Sequence, residues 1–209
     1  MDGNRIDEMI SYMNRKYNDS FSYVSTIGQR FGSDIFRIVC SSEKYQDEPV
    51  YVTWQKTNND VLISDNYIGI KFKKATIDLL NQKISSEFGD DFYIQYEVFG
   101  SPVYPEYDDN TNLNTFLTDK RSGLSFNALV YCDSKVFDKD SFKSRIINAF
   151  VSGDICISGS LYFTNTKTDI SNVSSTREFG LYKHECTYIN SCIFIMKSNT
   201  ELFLFKWEK

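Results

Sequence analysis

EFGDDFYIQYEVF, from Glu87 to Phe99, changes its hydrophobic period in the middle. Upstream, Ile77, Leu80, Ile84 and Phe88 recur at helical spacing, with Leu79 beside them. Downstream, FYIQYEVF has the aromatic-rich alternation of a strand. Gly89 lies between them, and glycine accepts the left-handed conformation that closes a helix. The joint recurs. KYNDSF (Lys16–Phe21) follows a helical face made by Ile6, Met9, Ile10, Met13 and Tyr17, with Asn18 in the place of the glycine. VSGDICI (Val151–Ile157) follows a face made by Phe142, Ile146 and Phe150, with Gly153 as the stop and Asp138 or Asp140 placed to cap the start. Shared joint chemistry explains the likeness without a duplication.

Strands fill the remainder. Phe21–Ile27, Ile35–Ser41 and Val50–Gln55 come in succession between turn-rich breaks. Leu124–Cys132, Asp154–Phe163 and Phe179–Ile189 read as further strands, and CIFIMK and ELFLFKW as a C-terminal hairpin around Ser198-Asn199-Thr200. The predicted class is α+β: a largely antiparallel sheet with about three helices packed on one face and the other face open, with a concave form allowed. Tyr51, Thr53 and Gln55 alternate with Val50, Val52 and Trp54, as expected of a strand with one solvated face. The expected organisation is one α+β domain over residues 1–209. Its pseudo-halves, about 1–100 and 120–209, are joined by a loop over 101–119.

The chain has 209 residues, enough for a core that needs no metal or disulfide. Aromatic residues reach 16%, which favours β structure. The net charge of −5 and the scattered basic residues argue against a nucleic-acid or anionic-membrane surface. No apolar run is long enough to span a bilayer. MDGNRIDEMI lacks the apolar centre of a signal peptide. The compartment stays open: cytoplasmic as read, or outside the cell and anchored if a leader or anchor was removed. Five cysteines without C-x-x-C spacing read as buried free thiols.

The chain's one histidine, His184, shares a strand face with Cys186 in this reading, a poor geometry for a nucleophile and its base. No nucleotide loop or nucleophile elbow occurs. No cofactor and no catalytic or metal-ligating residue is expected. The loop SPVYPEYDDNTN (Ser101–Asn112) passes a partial calcium test: Asp108, Asn110, Asn112, Asn114 and Asp119 imitate EF-hand spacing. Leu113 stands where that loop needs glycine, and Pro102 and Pro105 forbid an entering helix. The loop reads better as a crossover whose acidic, tyrosine-bearing surface (Glu106, Asp108, Asp109) suits a basic partner.

YMNRKYNDSFSYVS (Tyr12–Ser25) and VLISDNYIGIKF (Val61–Phe72) resemble segments of small cell-envelope and immunity-type proteins of low-GC Gram-positive bacteria, over about the first 75 residues, and the overall plan is similar to that of the TipC-like immunity proteins. That resemblance implies a non-enzymatic binder at the cell envelope that cradles a secreted LXG toxin on a concave sheet. The family normally has an N-terminal membrane anchor, which this reading does not find. The expected function is therefore protein binding, in its sharpest form toxin neutralisation. A cognate toxin would be the partner, with no nucleic acid and no membrane contact by this segment. Tyr51, Thr53, Gln55, Glu106, Asp108 and Asp109 are the expected contact residues. The alternatives are an envelope domain that binds a ligand or peptide, and a carboxylate-based hydrolase.

Overall fold

Strands and helices of the computed structural model distribute over two sheets in an α+β arrangement. Residues 2–28, 34–58, 60–96, 98, 107–151, 155–173, 175–185, 189–198 and 201–208 are described. The chain forms two compact units. One comprises Met1–Lys73 with Val98–Asn112, the other Lys74–Glu97 with Leu113–Lys209.

In the first unit, helix α1 (Asp2–Lys16) leads into an antiparallel sheet of β1 (Phe21–Ile27), β2 (Ile35–Ser42), β3 (Val50–Lys56) and β4 (Val61–Asp65), in that spatial order. Met9 and Met13, on the apolar stripe of α1, are wholly buried. One face of the sheet buries Phe36, Ile38, Cys40, Val50, Val52 and Trp54. Helix α1 covers that face: the Arg5 guanidinium lies 4.5 Å from the Trp54 ring, and Trp54 Nε1 donates to Glu8 at 3.1 Å. Helix α2 (Tyr67–Phe88) begins directly after β4, ten residues before the first position that marks it in the sequence, Ile77. It stops where expected, at Gly89 with φ 79°.

The second unit holds the later part of α2 and a five-stranded sheet, β5 (Phe92–Gln95), β6 (Ser125–Tyr131), β7 (Ser158–Thr164), β8 (Asn190–Ser198) and β9 (Glu201–Trp207). Strands β6 and β7 are parallel, and helix α4 (Lys139–Val151) connects them as parallel pairing requires. Asp138 caps that helix, accepting from the Ser141 N–H at 2.7 Å. The α4 face is aromatic: Phe150 packs on Phe126 and Phe194, and Phe142 on Phe88 and Phe163.

Three expectations change. Residues Leu113–Thr118, inside the expected loop, form the short helix α3. The β7 strand starts at Ser158, later than Asp154. The run read as a strand over Phe179–Ile189 begins as helix: after α5 (Lys167–Ser171) comes α6 (Thr176–Glu185). Phe179 of α6 joins Leu129, Tyr162 and Val173 on the face of the second sheet opposite α4. Gly153, Cys186 and the Asn199–Thr200 turn lie outside the described residues.

Candidate protein-binding face

The register of the first sheet defines its second face. Ile27, Arg37, Thr53 and Ser64 form one cross-strand row. Ser25, Val39 and Tyr51 form the next, and Ile35, Gln55 and Leu62 another. Strand side chains switch faces at each residue, so these point away from α1. Ile35 is 37% and Leu62 41% exposed, Arg37 and Gln55 are exposed, and Val39 and Tyr51 are half-buried. Thr53 departs from the expected exposure at 6%. It is a small side chain on an inner strand, flanked on both sides by Arg37 and Ser64. Tyr51 and Gln55 therefore reach the surface of that face, and Thr53 is buried within its row.

The covered side is organised by carboxylates. Asp65 ends β4 and accepts from Lys16 Nζ at 2.8 Å, the Tyr17 hydroxyl at 2.8 Å and the Tyr67 N–H at 3.0 Å. Its bond to the Tyr67 N–H starts α2, which explains why the helix follows the strand without a loop. Burial first, then the Asp65 charge, push the Tyr17 phenol far above its ordinary value. Asp19 accepts from Ser42 Oγ at 2.5 Å and the Tyr67 hydroxyl at 2.8 Å. Desolvation works upward on its pKa, but these bonds and the Ser20 and Lys44 N–H groups hold it below the ordinary value. The Tyr17 and Tyr67 rings pack at 4.5 Å between centroids. Both carboxylates are thus occupied in fixing the turn after α1 and the start of α2.

The described end of the acidic loop, residues 107–112, lies with the covered side. The Tyr17 hydroxyl, on the covered side, donates to the Tyr107 carbonyl at 3.2 Å. Asp109 is paired with Lys71 of α2 at 3.0 Å. Asp108 accepts from the Asn110 N–H at 2.9 Å in a local turn. The slight desolvation of Asp108 acts upward, yet the bonds from Asn110 and Thr111 hold its carboxyl below the ordinary value. Glu106 lies outside the described residues. Tyr51, Thr53 and Gln55 are brought together on one strand; Asp108 and Asp109 are held on the other side of the sheet.

The remaining candidate chemistry is dispersed. Asn114 begins in α3, and Asp119 caps the following 3-10 turn (Lys120–Ser122) while pairing with Arg121 at 2.7 Å. Among the described residues no three His, Cys, Asp or Glu side chains converge. Cys40, Cys132, Cys156 and Cys192 are buried outside any disulfide, and burial pushes the thiols of Cys40 and Cys192 up to about 12 and that of Cys132 to about 11. The Cys156 thiol donates to the Thr118 carbonyl. His184 sits in α6, not on a strand. No helix among the described residues is long and apolar enough to cross a membrane.

No family model matches the chain. No curated protein matches it. A crystal structure of a DUF5037 family protein from Ruminococcus gnavus ATCC 29149 is similar to it at 15% identity, over 96% of this chain and 93% of that one, with a TM-score of 0.43. At that distance the likeness assigns neither family nor function.

Proposed function

We propose that the chain is a non-enzymatic protein-binding module that engages its partner through the face of the first sheet opposite α1. In its sharpest form it neutralises a secreted bacterial toxin by direct binding, as the resemblance of the overall plan to TipC-like immunity proteins implies. The observation that carries the binding reading is the make-up of that face: Ile35, Val39, Tyr51 and Leu62 around Arg37, with α1 on the opposite side. Tyr and Arg amid apolar side chains is the composition that dominates interface energetics. The strands that carry these groups are fixed from below by α1, so little ordering is needed on association.

The test is capture of a partner from the producing organism, its identification, and kinetics with the purified pair. Replacing Tyr51 by Ala should speed dissociation by about tenfold or more and leave the association rate within about threefold, because anchor residues act on the lifetime of the complex. A partner that binds wild type and a Tyr51→Ala, Leu62→Ala double variant with the same lifetime uses another surface. Toxin neutralisation is supported only if that partner arrests growth when expressed alone and fails to when expressed with this chain.

A further inference from the structure

The open face carries one charged side chain among its described residues, and it is a cation. Arg37 stands on an inner strand in the row that runs from Ile27 to Ser64, with Val39 and Ile35 two positions away on either side along β2. Its side chain is exposed and makes no hydrogen bond or ion pair with any described residue. Carboxylates outnumber basic side chains 28 to 23 in the chain, yet none of the described ones pairs with Arg37. The other cations of this unit that lie near carboxylates are paired: Lys16 with Asp65, Lys71 with Asp109, Lys73 with Glu48. Those pairs belong to α1 and α2 and the elements they meet, not to the open face.

We infer that the partner docked on this face is a protein that sets an acidic side chain, flanked by apolar ones, against Arg37. The inference rests on the proposed binding role and names the partner's chemistry. A guanidinium presents a planar fork of N–H donors that matches a carboxylate in two parallel bonds. Contact of a partner with Ile35, Val39, Tyr51 and Leu62 removes water from around that fork. In the drier surround a carboxylate is held more strongly, and a partner without one strands Arg37 desolvated and unpaired, which is strongly unfavourable. Arg37 thereby selects among partners by penalising the wrong ones. The expected polarity reverses that suggested by Asp108 and Asp109, whose charges are engaged with Lys71 and with their own turn.

The experiment selects peptides from a phage-displayed random library on the immobilised full chain. Enriched peptides should share an Asp or Glu between apolar residues and bind Arg37→Ala about tenfold or more weakly. They should also weaken on Tyr51→Ala, and Arg37→Glu should shift selection toward Lys and Arg. Arg37 is exposed, so its variants should melt with the wild type, and the melting curve checks that. Peptides that lack an acid, or that tolerate Arg37→Ala while losing affinity on Tyr51→Ala, overturn the carboxylate inference and leave the docking face standing. Peptides indifferent to both substitutions, or none enriched above a Tyr51→Ala, Arg37→Ala double variant, overturn the face as well. Vesicles of phosphatidylglycerol in phosphatidylcholine form a parallel arm. Arg37-dependent binding confined to them would assign the face to lipid phosphate and overturn a protein partner.

Discussion

Asp65 is 2% exposed, and a carboxyl group so placed is tolerable only with hydrogen-bonding partners. Its side chain and that of Lys16 are 1% and 8% exposed, and the pair is 2.8 Å apart. A buried pair contributes little beyond what an apolar replacement would, but loss of one member leaves the other charge uncompensated. Asp65→Ala should therefore cost about 3–5 kcal/mol in urea unfolding. Tyr17→Phe, which removes one hydroxyl and keeps the ring, should cost about 1 kcal/mol. If Asp65→Ala unfolds within about 1 kcal/mol of wild type, the carboxylate is not the fastening point of α1 and α2. In the sequence this residue was visible only as part of Asp65-Asn66-Tyr67 after a strand. Its partners lie 48 and 49 positions away, and a single sequence does not display such pairings.

Gly159 shows how an element is shaped by its neighbours. It sits on β7 between Phe126 of β6 and Phe194 of β8, whose rings close over it. A Cβ there would stand 2.5 Å from Phe194 and 2.7 Å from Phe126. Those rings have no room to retreat, since Phe150 of α4 packs on both, at 4.8 and 5.5 Å. Gly159→Ala should destabilise the full chain by about 1–3 kcal/mol through overpacking. A change below about 0.5 kcal/mol in the denaturation midpoint analysis would mean that the aromatic layer yields. Elements with one clear period were legible: α1, α4 and the strands β1 to β3 fall where their alternation places them. Helix α6 was not, because Phe179 and Leu181 are two apart and the following residues suit a strand. The signal that marks it is polar. Ser175 caps its start, with the Glu178 N–H donating to Ser175 Oγ at 3.3 Å and Ser175 Oγ to the Glu178 carboxylate at 3.1 Å. The candidate face was legible through the parity of Val50–Gln55, but the burial of Thr53 and the loneliness of Arg37 depend on which strands lie alongside.

At the scale of the whole molecule, the chain passes between its two units more than once: within α2, before Val98 and after Asn112. A cut in the 101–119 loop therefore does not separate them. It parts β6 from β5, which pairs with it along Phe92–Gln95, and parts Phe142 and Phe163 from Phe88 of α2, at 5.7 and 5.9 Å. It also removes the Lys83 ammonium from the Ala149 carbonyl at the end of α4, and Tyr93 from Phe179. Residues 113–209 alone should thus expose one edge of β6 and an aromatic surface on α4, and should unfold gradually. Residues 74–209 restore β5 and the later part of α2, and should unfold in one cooperative transition. The measurement is urea denaturation of both fragments by circular dichroism and fluorescence, since coincident transitions by two probes mark two-state behaviour. A cooperative transition of residues 113–209 at the midpoint of residues 74–209 would show that β5 and α2 contribute nothing to that sheet's stability. The expected contrast instead makes α2 a structural member of the second unit as well as the first, since Asp65 starts it in one and Phe88 ends it in the other.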